Sequence, residues 1–340
     1  MTDIVAPQPV LPPWAERAVN LASPRLGTAA MRCSDDSFAA MGRMLEDAPA
    51  VFRPGVFDEF GKWMDGWESK RRRDGGHDWC VIRLGARGRL AGVDIDTAHF
   101  TGNYPPAAAL FAADTADEPG EGDWRAILPA TPLGPSANHF REIPAEAAGP
   151  WRWLRLEIYP DGGVARLRVY GQTEPDWDNP ATGPDGLLEL SALANGGRVL
   201  AWNDAHYGDV WAVLSAGRGR NMGDGWETRR RREPGHDWLI VALGAPGVVE
   251  RVEIDTAHFK GNYPAAASLQ AAMVDWGTDA SAPTQAMFWP ELMAQQALGP
   301  DAIHSFGADA LAALGPVSHV KLSIHPDGGV SRLRIFGRRA

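Results

Sequence analysis

The chain has few cysteines and no long apolar run. Its 340 residues include two cysteines, Cys33 and Cys80, which are too few for a disulfide framework. No stretch approaches the roughly 20 apolar residues that span a bilayer. Residues 1–19 lack the basic start and apolar block of a secretion signal. These absences predict a reduced, cytoplasmic protein with no membrane segment.

Charge and missing motifs exclude further classes of function. The sequence has 33 basic and 43 acidic residues, a net charge of −10, which argues against a nucleic-acid surface because such a surface needs a basic face. No Gly-rich phosphate loop and no Gly-x-Ser-x-Gly nucleophile motif occur. Close His-x-His or His-Glu-x-x-His spacings are also missing, so we expect no cofactor. The many histidines and aspartates nevertheless leave a divalent metal open.

The dominant feature that is present is an internal duplication of three long phrases. They occur at 65–79 and 224–238 (the Trp-Glu phrase), at 96–105 and 255–264 (the His-Phe phrase), and at 160–168 and 326–334 (the Gly-Gly phrase). Eleven of the fifteen positions of the Trp-Glu phrase are identical in both copies. A repeat this long indicates a duplicated domain. We predict domains at 20–171 and 187–338, separated by a linker rich in Pro, Gly and Asp at 172–186.

The hydrophobic pattern within each copy has a period of two. Residues 153–158 and 164–170 alternate between apolar and polar side chains, and an Asp-Gly-Gly turn lies between them. This pattern is typical of half-buried antiparallel strands joined in a hairpin. Helical patterns are scarce, and short helices are expected only at 38–45, 210–216 and 290–298. The predicted fold is all-β, with two tandem jelly-roll β-sandwich domains.

The Trp-Glu phrase supplies the first candidate site residues, Trp67 with Glu68 and Trp226 with Glu227. One interpretation is structural: a turn, a core tryptophan and a glutamate paired with an arginine. The other places these residues at the lip of a site, where the glutamate binds N–H groups or moves a proton.

The arginine run of the same phrase supplies candidate anion ligands. A guanidinium holds a carboxylate through two parallel hydrogen bonds. The alternative is a solvated strand edge, where charge prevents pairing with other chains. The candidates are Arg71, Arg73, Arg230 and Arg232.

Three matched pairs of histidines occur in the two copies. His77 and His236 precede a strand and are candidates for general acid–base chemistry or for capping that strand. His139 and His304 form a third pair. The His-Phe phrase places a histidine between an aspartate and an asparagine, which either converge at one end of the sandwich or tie down their own loop. Its candidates are Asp96, His99 and Asn103 in the first copy, and Asp255, His258 and Asn262 in the second.

These phrases resemble the allantoicase (allantoate amidinohydrolase) family. The resemblance rests on Asp-Gly-Trp-Glu with its arginine run and Gly-His-Asp-Trp, on Asp-Thr-Ala-His-Phe-x-Gly-Asn-Tyr-Pro, and on Pro-Asp-Gly-Gly-x-x-Arg-Leu-Arg, each present twice. It covers nearly the whole chain from residue 20. It implies galactose-binding-like sandwiches, a homo-oligomer, and hydrolysis of allantoate to ureidoglycolate and urea in purine degradation.

That reaction needs a proton for the departing urea and a base for water. We expect His99 or His77 (His258 or His236 in the second copy) to transfer protons. Ureido N–H groups would bind Glu68 and Asp96, or Glu227 and Asp255, and the arginines would hold the carboxylate. Two rivals remain open: a non-catalytic sandwich that binds carbohydrate or another small ligand, and a non-catalytic assembly subunit.

Overall fold

A computed structural model describes residues 2–340, which divide into two compact units between Glu174 and Pro175. We call them unit 1 (residues 2–174) and unit 2 (residues 175–340). The boundary falls inside the predicted linker. The side chain of Asn195 holds Ala181 through two hydrogen bonds of 2.8 Å, so this part of the linker is docked within unit 2. No helix among residues 2–340 is long and apolar enough to cross a membrane.

Unit 1 is built almost entirely of antiparallel strands. Its main sheet has the order β10-β9-β12-β8-β14-β2, and β3 and β11 also pair with β8. The strands are β1 Ile4–Val5, β2 Val19–Asn20, β3 Ala29–Cys33, β4 Val51–Phe52, β5 Phe57–Asp58, β6 Gly61–Lys62, β7 Trp67–Glu68, β8 Asp78–Asp96, β9 Ala107–Ala113, β10 Arg125–Pro132, β11 Phe140–Glu142, β12 Trp151–Tyr159, β13 Gly163–Val164 and β14 Arg166–Thr173. Short 3-10 helices occupy Pro24–Leu26, Met41–Leu45, Glu121–Asp123 and Ala145–Ala147.

Unit 2 repeats the topology of this main sheet. Its main sheet has the order β15-β24-β18-β22-β19-β20, with β16 and β21 also paired to β18. The strands are β15 Leu188–Glu189, β16 Arg198–Trp202, β17 Trp226–Glu227, β18 Asp237–Asp255, β19 Ala266–Ala272, β20 Glu291–Ala297, β21 Ile303–Phe306, β22 Pro316–His325, β23 Gly329–Val330 and β24 Arg332–Arg339. The 3-10 helices are Leu193–Asn195, Val210–Leu214 and Asp279–Ser281, and α1 is Ala282–Gln285. The expectation of an all-β tandem sandwich is confirmed.

The predicted helix at 290–298 is wrong. Those residues form β20, which pairs with the edge of β19 and buries Leu292 and Met293. Tertiary pairing therefore overrides the local helical pattern. The other two expected helices are present as the 3-10 turns at Met41–Leu45 and Val210–Leu214.

One long strand in each unit serves both layers of the sandwich. The first part of β8 pairs with β12 and β3, and its second part pairs with β14 and β11. Midway along β8, the carbonyl of Leu26 packs against Gly85, where a Cβ atom would lie 1.9 Å from it. Gly244 faces Asn195 in the same way in unit 2. Glycine is therefore required where the turn contacts the strand.

A buried ion pair joins the Trp-Glu phrase to the Gly-Gly phrase in each unit. Arg166 is 1% exposed, and its Nη2 lies 2.7 Å from Asp65 Oδ2. Its remaining donors reach backbone carbonyls, including that of Ala48 at 2.8 Å. In unit 2, Arg332 Nη2 lies 3.1 Å from Asp224 Oδ1, and both side chains are buried. The guanidinium thus fixes two distant loops at one end of the sandwich.

The two units differ in the segment between the 3-10 turn and the Trp-Glu phrase. It spans 20 positions in unit 1 (45 to 65) and 10 in unit 2 (214 to 224). The extra residues form β4 and the β5–β6 hairpin, and β4 pairs with β1 near the N-terminus. Only unit 1 therefore has this additional wall beside its loops.

We expect the substitution Arg166→Met to lower the free energy of unfolding by about 3–5 kcal/mol, because it leaves the Asp65 carboxylate, whose side chain is only 13% exposed, without its ionic partner. Urea denaturation followed by circular dichroism measures the change. Arg168→Met is the control on the same strand. Arg168 is partly exposed and donates hydrogen bonds to the backbone carbonyls of Glu46 and Asp47, so a loss of about 1 kcal/mol is expected. Equal losses for the two variants would contradict this role of Arg166.

Candidate active site

The three repeated phrases converge at one end of each sandwich. The short strand β7 pairs with β13, so that Glu68 of the Trp-Glu phrase faces Gly163 of the Gly-Gly phrase. The amide of Gly163 donates to the Asn103 carbonyl of the His-Phe phrase at 2.7 Å. The neighbouring Gly162 has a φ of 139°, and a Cβ atom there would lie 2.6 Å from the Pro105 nitrogen. Glycine at 162 thus permits the contact between phrases.

A carboxylate–amide pair lies at the centre of this convergence. Asn103 Nδ2 donates to Glu68 Oε1 at 2.5 Å, and Asn262 donates to Glu227 at the same distance in unit 2. Glu68 is buried, while Asn103 is exposed. Burial raises the pKa of Glu68 above its usual range, and the Asn103 hydrogen bond partly opposes that shift. The pair offers an acceptor at the mouth of the loops and, when Glu68 is protonated, a proton donor.

The two tryptophans of the Trp-Glu phrase are not placed for ligand contact. Trp67 and Trp226 are both 0% exposed, and each Nε1 donates to a backbone carbonyl, of Asp35 and Asp204 respectively, at 2.8 Å. The expectation that they contact substrate is corrected: a fully buried indole supports the loop from behind. Trp67 and Trp226 are therefore core tryptophans, as in the structural interpretation of the Trp-Glu phrase.

His99 and His258 occupy an unusual backbone conformation in the His-Phe phrase. Their φ angles are 68° and 71°, in the left-handed region that costs a side-chain-bearing residue about 1–2 kcal/mol. His99 Nε2 lies 3.2 Å from the Ala50 carbonyl, and His258 Nε2 lies 2.7 Å from that of Gly219. Because a carbonyl only accepts, Nε2 carries a proton, so the lone pair of the neutral imidazole is on Nδ1. Each imidazole is therefore oriented as a base through Nδ1.

Asp96 and Asp255 hold the loops that carry these histidines. Asp96 Oδ1 accepts the Ala98 amide at 2.7 Å, and Asp255 Oδ1 accepts the Ala257 amide at 2.8 Å. Both carboxylates are buried. Burial raises the pKa of Asp96. We therefore assign these aspartates to positioning the histidine loop, whereas the sequence had suggested binding of ureido groups.

His99 and Glu68 border the same small apolar cluster in unit 1. Ala39 pairs with Glu68, Ala50 accepts from His99, and both alanines pack with Phe100. The structure therefore brings the glutamate, the asparagine and the His-Phe loop of unit 1 together.

His77 and His236 lie in a different polar cluster. His77 Nε2 is 3.2 Å from Glu157 Oε2, and its ring lies 4.9 Å from that of Tyr159. His236 lies 4.8 Å from the ring of His325. Burial lowers the pKa of His236, and nearby Lys321 lowers it further. Neither contact involves the Glu68–Asn103 pair or its counterpart.

The arginine run alternates between paired and exposed side chains. The middle residues are paired: Arg72 Nη1 lies 2.7 Å from Asp78, and Arg231 Nη1 lies 2.7 Å from Asp237. Sequence reasoning missed them, although each is followed six residues later by its partner aspartate. The predicted ligands are exposed, and among residues 2–340 no carboxylate pairs with Arg71, Arg73, Arg230 or Arg232.

The third histidine pair is structural. His139 Nδ1 donates to the Ile95 carbonyl at 2.7 Å, while Nε2 accepts the Gly134 amide at 2.7 Å. His304 repeats both contacts in unit 2. Asp94 accepts the His139 amide and the Asn138 side chain, and burial raises its pKa to about 6.

Two other features of the described residues bear on the site. Within residues 2–340, no three His, Cys, Asp or Glu side chains cluster as metal ligands would. A surface hollow of about 270 Å³ is lined by Trp14, Arg17 and Arg89 among others, and includes none of the predicted site residues. We place the site at the phrase cluster, because the polar groups capable of proton transfer meet there.

Each unit is thus a β-sandwich carrying the same polar loop cluster, which defines a tandem-duplicated sandwich protein. A family model described as the allantoicase repeat matches residues 19–174 and 188–340. A probable allantoicase 2 of Burkholderia pseudomallei is 55% identical over 334 residues, covering 98% of both chains. A probable allantoicase of Rhizobium meliloti is 52% identical over 335 residues, covering 97% of both chains.

Solved structures agree with these relatives. The crystal structure of allantoicase from Saccharomyces cerevisiae is 32% identical with a TM-score of 0.76, covering 94% of this chain and 93% of that one. A second allantoicase structure is 33% identical with a TM-score of 0.78. The chain belongs to the allantoicase family.

We expect the free energy of unfolding to gain up to about 3 kcal/mol from Asp94 as the pH falls from about 7 to 4. The folded pKa of about 6 lies above the ordinary value of 3.8, so the folded state takes up the proton first. Asp94→Asn removes this contribution, which urea denaturation at pH 7 and pH 5 detects. Glu253→Gln is the control at the matching position of unit 2, where the side chain is partly exposed and paired with Arg251. An unchanged pH dependence in Asp94→Asn would contradict the assignment.

We expect Asn103→Ala to slow turnover by about 10- to 100-fold if unit 1 is catalytic, since a hydrogen bond to a charged group contributes about 1.5–3 kcal/mol. Loss of that bond also raises the pKa of Glu68, so the alkaline limb of the pH–rate profile, which falls as this proton donor ionises, should move to higher pH. Asn262→Ala makes the same change at Glu227 and tests unit 2. If neither variant alters the profile, the carboxylate–amide pair has no part in turnover.

Proposed function

We propose that the converged phrases form the allantoate site, with Glu68, Asn103 and His99 in unit 1 and Glu227, Asn262 and His258 in unit 2. The chain is a hydrolase of the allantoicase family and converts allantoate to ureidoglycolate and urea, a step in purine degradation. The observation that supports this location is the repeated carboxylate–amide pair, whose asparagine lies in the same loop as an oriented imidazole.

The chemistry of allantoate matches these groups. One carbon of allantoate carries a carboxylate and two ureido arms, and hydrolysis breaks its bond to one ureido nitrogen. Urea leaves readily only when its nitrogen gains a proton or its oxygen is strongly hydrogen-bonded. Glu68, whose pKa is raised by burial, is suited to hold a proton near that nitrogen. His99 is suited to take a proton from water through Nδ1.

The carboxylate of the substrate needs a cation at the rim of the site. Arg71 and Arg73 in unit 1, and Arg230 and Arg232 in unit 2, are exposed on loops that follow the glutamate directly. Their guanidinium groups are free to turn towards an anion. We assign them to substrate capture, which affects binding more than the chemical step.

Family membership favours the hydrolase over both non-catalytic rivals. We further propose a cytoplasmic homo-oligomer that binds no nucleic acid and needs no metal. Free Cys33 and Cys80 support the cytoplasmic location. The net charge of −10 supports the absence of nucleic-acid binding. Exposed Trp276 and Phe288, at 71% and 82%, offer apolar surface for self-association.

Urea release from allantoate by the purified chain tests the proposal. We expect His99→Ala and His258→Ala each to remove the turnover of its own unit, and the double variant to lose about 10²–10⁴-fold. His319→Ala, outside the repeated phrases, is the control and should keep wild-type turnover. A fully active double variant would remove these histidines from the mechanism. Assays with and without a chelator decide the metal.

A further inference from the structure

The two units differ at one matched polar cluster on the outer face of the sheet, at the end of β12 in unit 1 and of β22 in unit 2. In unit 1 the cluster surrounds a carboxylate. Glu157 accepts from Tyr159 Oη at 2.5 Å and pairs with Arg155 Nη2 at 3.0 Å and with His77 Nε2 at 3.2 Å. Glu157 is 6% exposed, so three donors compensate the cost of burying its charge.

Strand register identifies the matching position in unit 2. Glu157 pairs with Trp79 across the sheet, and Ser323 pairs with Trp238, the same tryptophan of the repeat. The carboxylate of unit 1 is thus replaced by a short hydroxyl. In the neighbouring rows, Lys321 replaces Arg155 and His325 replaces Tyr159.

The side chains that surround Glu157 in unit 1 have counterparts in unit 2, where the carboxylate is missing. The His236 and His325 rings lie 4.8 Å apart at an interplanar angle of 46°, against 4.9 Å and 43° for His77 and Tyr159. Lys321 Nζ lies 5.7 Å from the centroid of the Trp238 ring. Ser268 lies 3.0 Å from His325 Nε2. Each donor of unit 1 therefore has a nitrogen-bearing counterpart in unit 2.

The charge of the cluster is not balanced from within. Among residues 2–340, no carboxylate lies within ion-pair distance of Lys321, His236 or His325. The nearest acidic neighbour in sequence, Asp237, is engaged by Arg231 and Asn203, both at 2.7 Å. Burial lowers the pKa of Lys321 and of both histidines. A partly buried ammonium group at Lys321 without a carboxylate partner is unfavourable unless an anion joins it, and an anion placed there would also favour the charged form of the two histidines.

We infer that unit 2 binds the carboxylate group of a small acid between Lys321, His236 and His325, in the place that Glu157 fills in unit 1. All three side chains are partly exposed, so a ligand reaches them from solvent. The planar carboxylate of Glu157 in the equivalent frame favours a carboxylate over a tetrahedral anion. The acid is either the substrate or product of the proposed reaction, or another small carboxylate that acts as an effector. Only the first of these rests on the proposed function.

Reciprocal substitutions in the full-length chain test the inference. Ser323→Glu installs in unit 2 the carboxylate that unit 1 tolerates, and Glu157→Ser removes it from unit 1. Isothermal titration with glycolate, which the enzyme does not hydrolyse, measures the number of sites and their affinity. We expect wild type to bind glycolate, Ser323→Glu to lose one site, and Lys321→Met to bind at least about tenfold more weakly, since it lacks the ammonium donor.

The matched control is Glu157→Ser, which should leave the unit 2 site intact and expose a second set of donors in unit 1. Equal glycolate binding by wild type and Ser323→Glu overturns the inference, as does binding of inorganic phosphate alone.

Urea release from allantoate then identifies which acid occupies the site. A KM raised about tenfold or more in Ser323→Glu means that the substrate carboxylate occupies the site, and an unchanged KM with loss of glycolate binding means that an effector does. Because binding is measured without turnover, it stays interpretable if the wild-type chain releases no urea.

Discussion

The buried pairs Asp65–Arg166 and Asp224–Arg332 are the constraint on which the functional end of each sandwich depends. A guanidinium taken out of water must have all of its donors satisfied, and here the acceptors come from loops far apart in sequence. Once those loops are tied together, β7 pairs with β13 and Glu68 reaches Asn103. The geometry of the polar cluster is thus a consequence of compensating one buried cation in each unit.

The sequence was sufficient to predict the class of fold. Duplication of three phrases marked equivalent positions, and alternation with a period of two marked strands such as β12 and β14. The segment 290–298 escaped prediction because its pairing with β19 is a long-range contact that no local pattern records. The docking of residue 181 by the Asn195 side chain is a tertiary contact of the same kind, which the linker composition does not record.

The sequence predicts which segments lie close together better than it predicts which side chains are buried. Trp67 lies in a polar phrase, and its sequence neighbours do not reveal that the indole points inwards to the Asp35 carbonyl. Within the arginine run, the selection of Arg72 for pairing depends on the position of Asp78 and Asp161 in the folded loop. The left-handed backbone at His99 is likewise invisible in the sequence, because the loop and not the residue type imposes it. Comparison of the two copies partly makes up for this missing information. A position that differs between them, such as Glu157 in unit 1 and Ser323 in unit 2, no longer has a structural role that both copies share.

The extra wall of unit 1 makes one imidazole depend on a remote part of the chain. The Ala50 carbonyl that orients His99 belongs to a segment held by the Ala50–Ala6 hydrogen bond and by the pairing of β4 with β1. In unit 2 the Gly219 carbonyl orients His258 from a short loop without such a tether. Detachment of the first strand would therefore loosen the base of one copy and leave the other untouched. The duplicated sites are unequal in mechanical terms even where their side chains are identical.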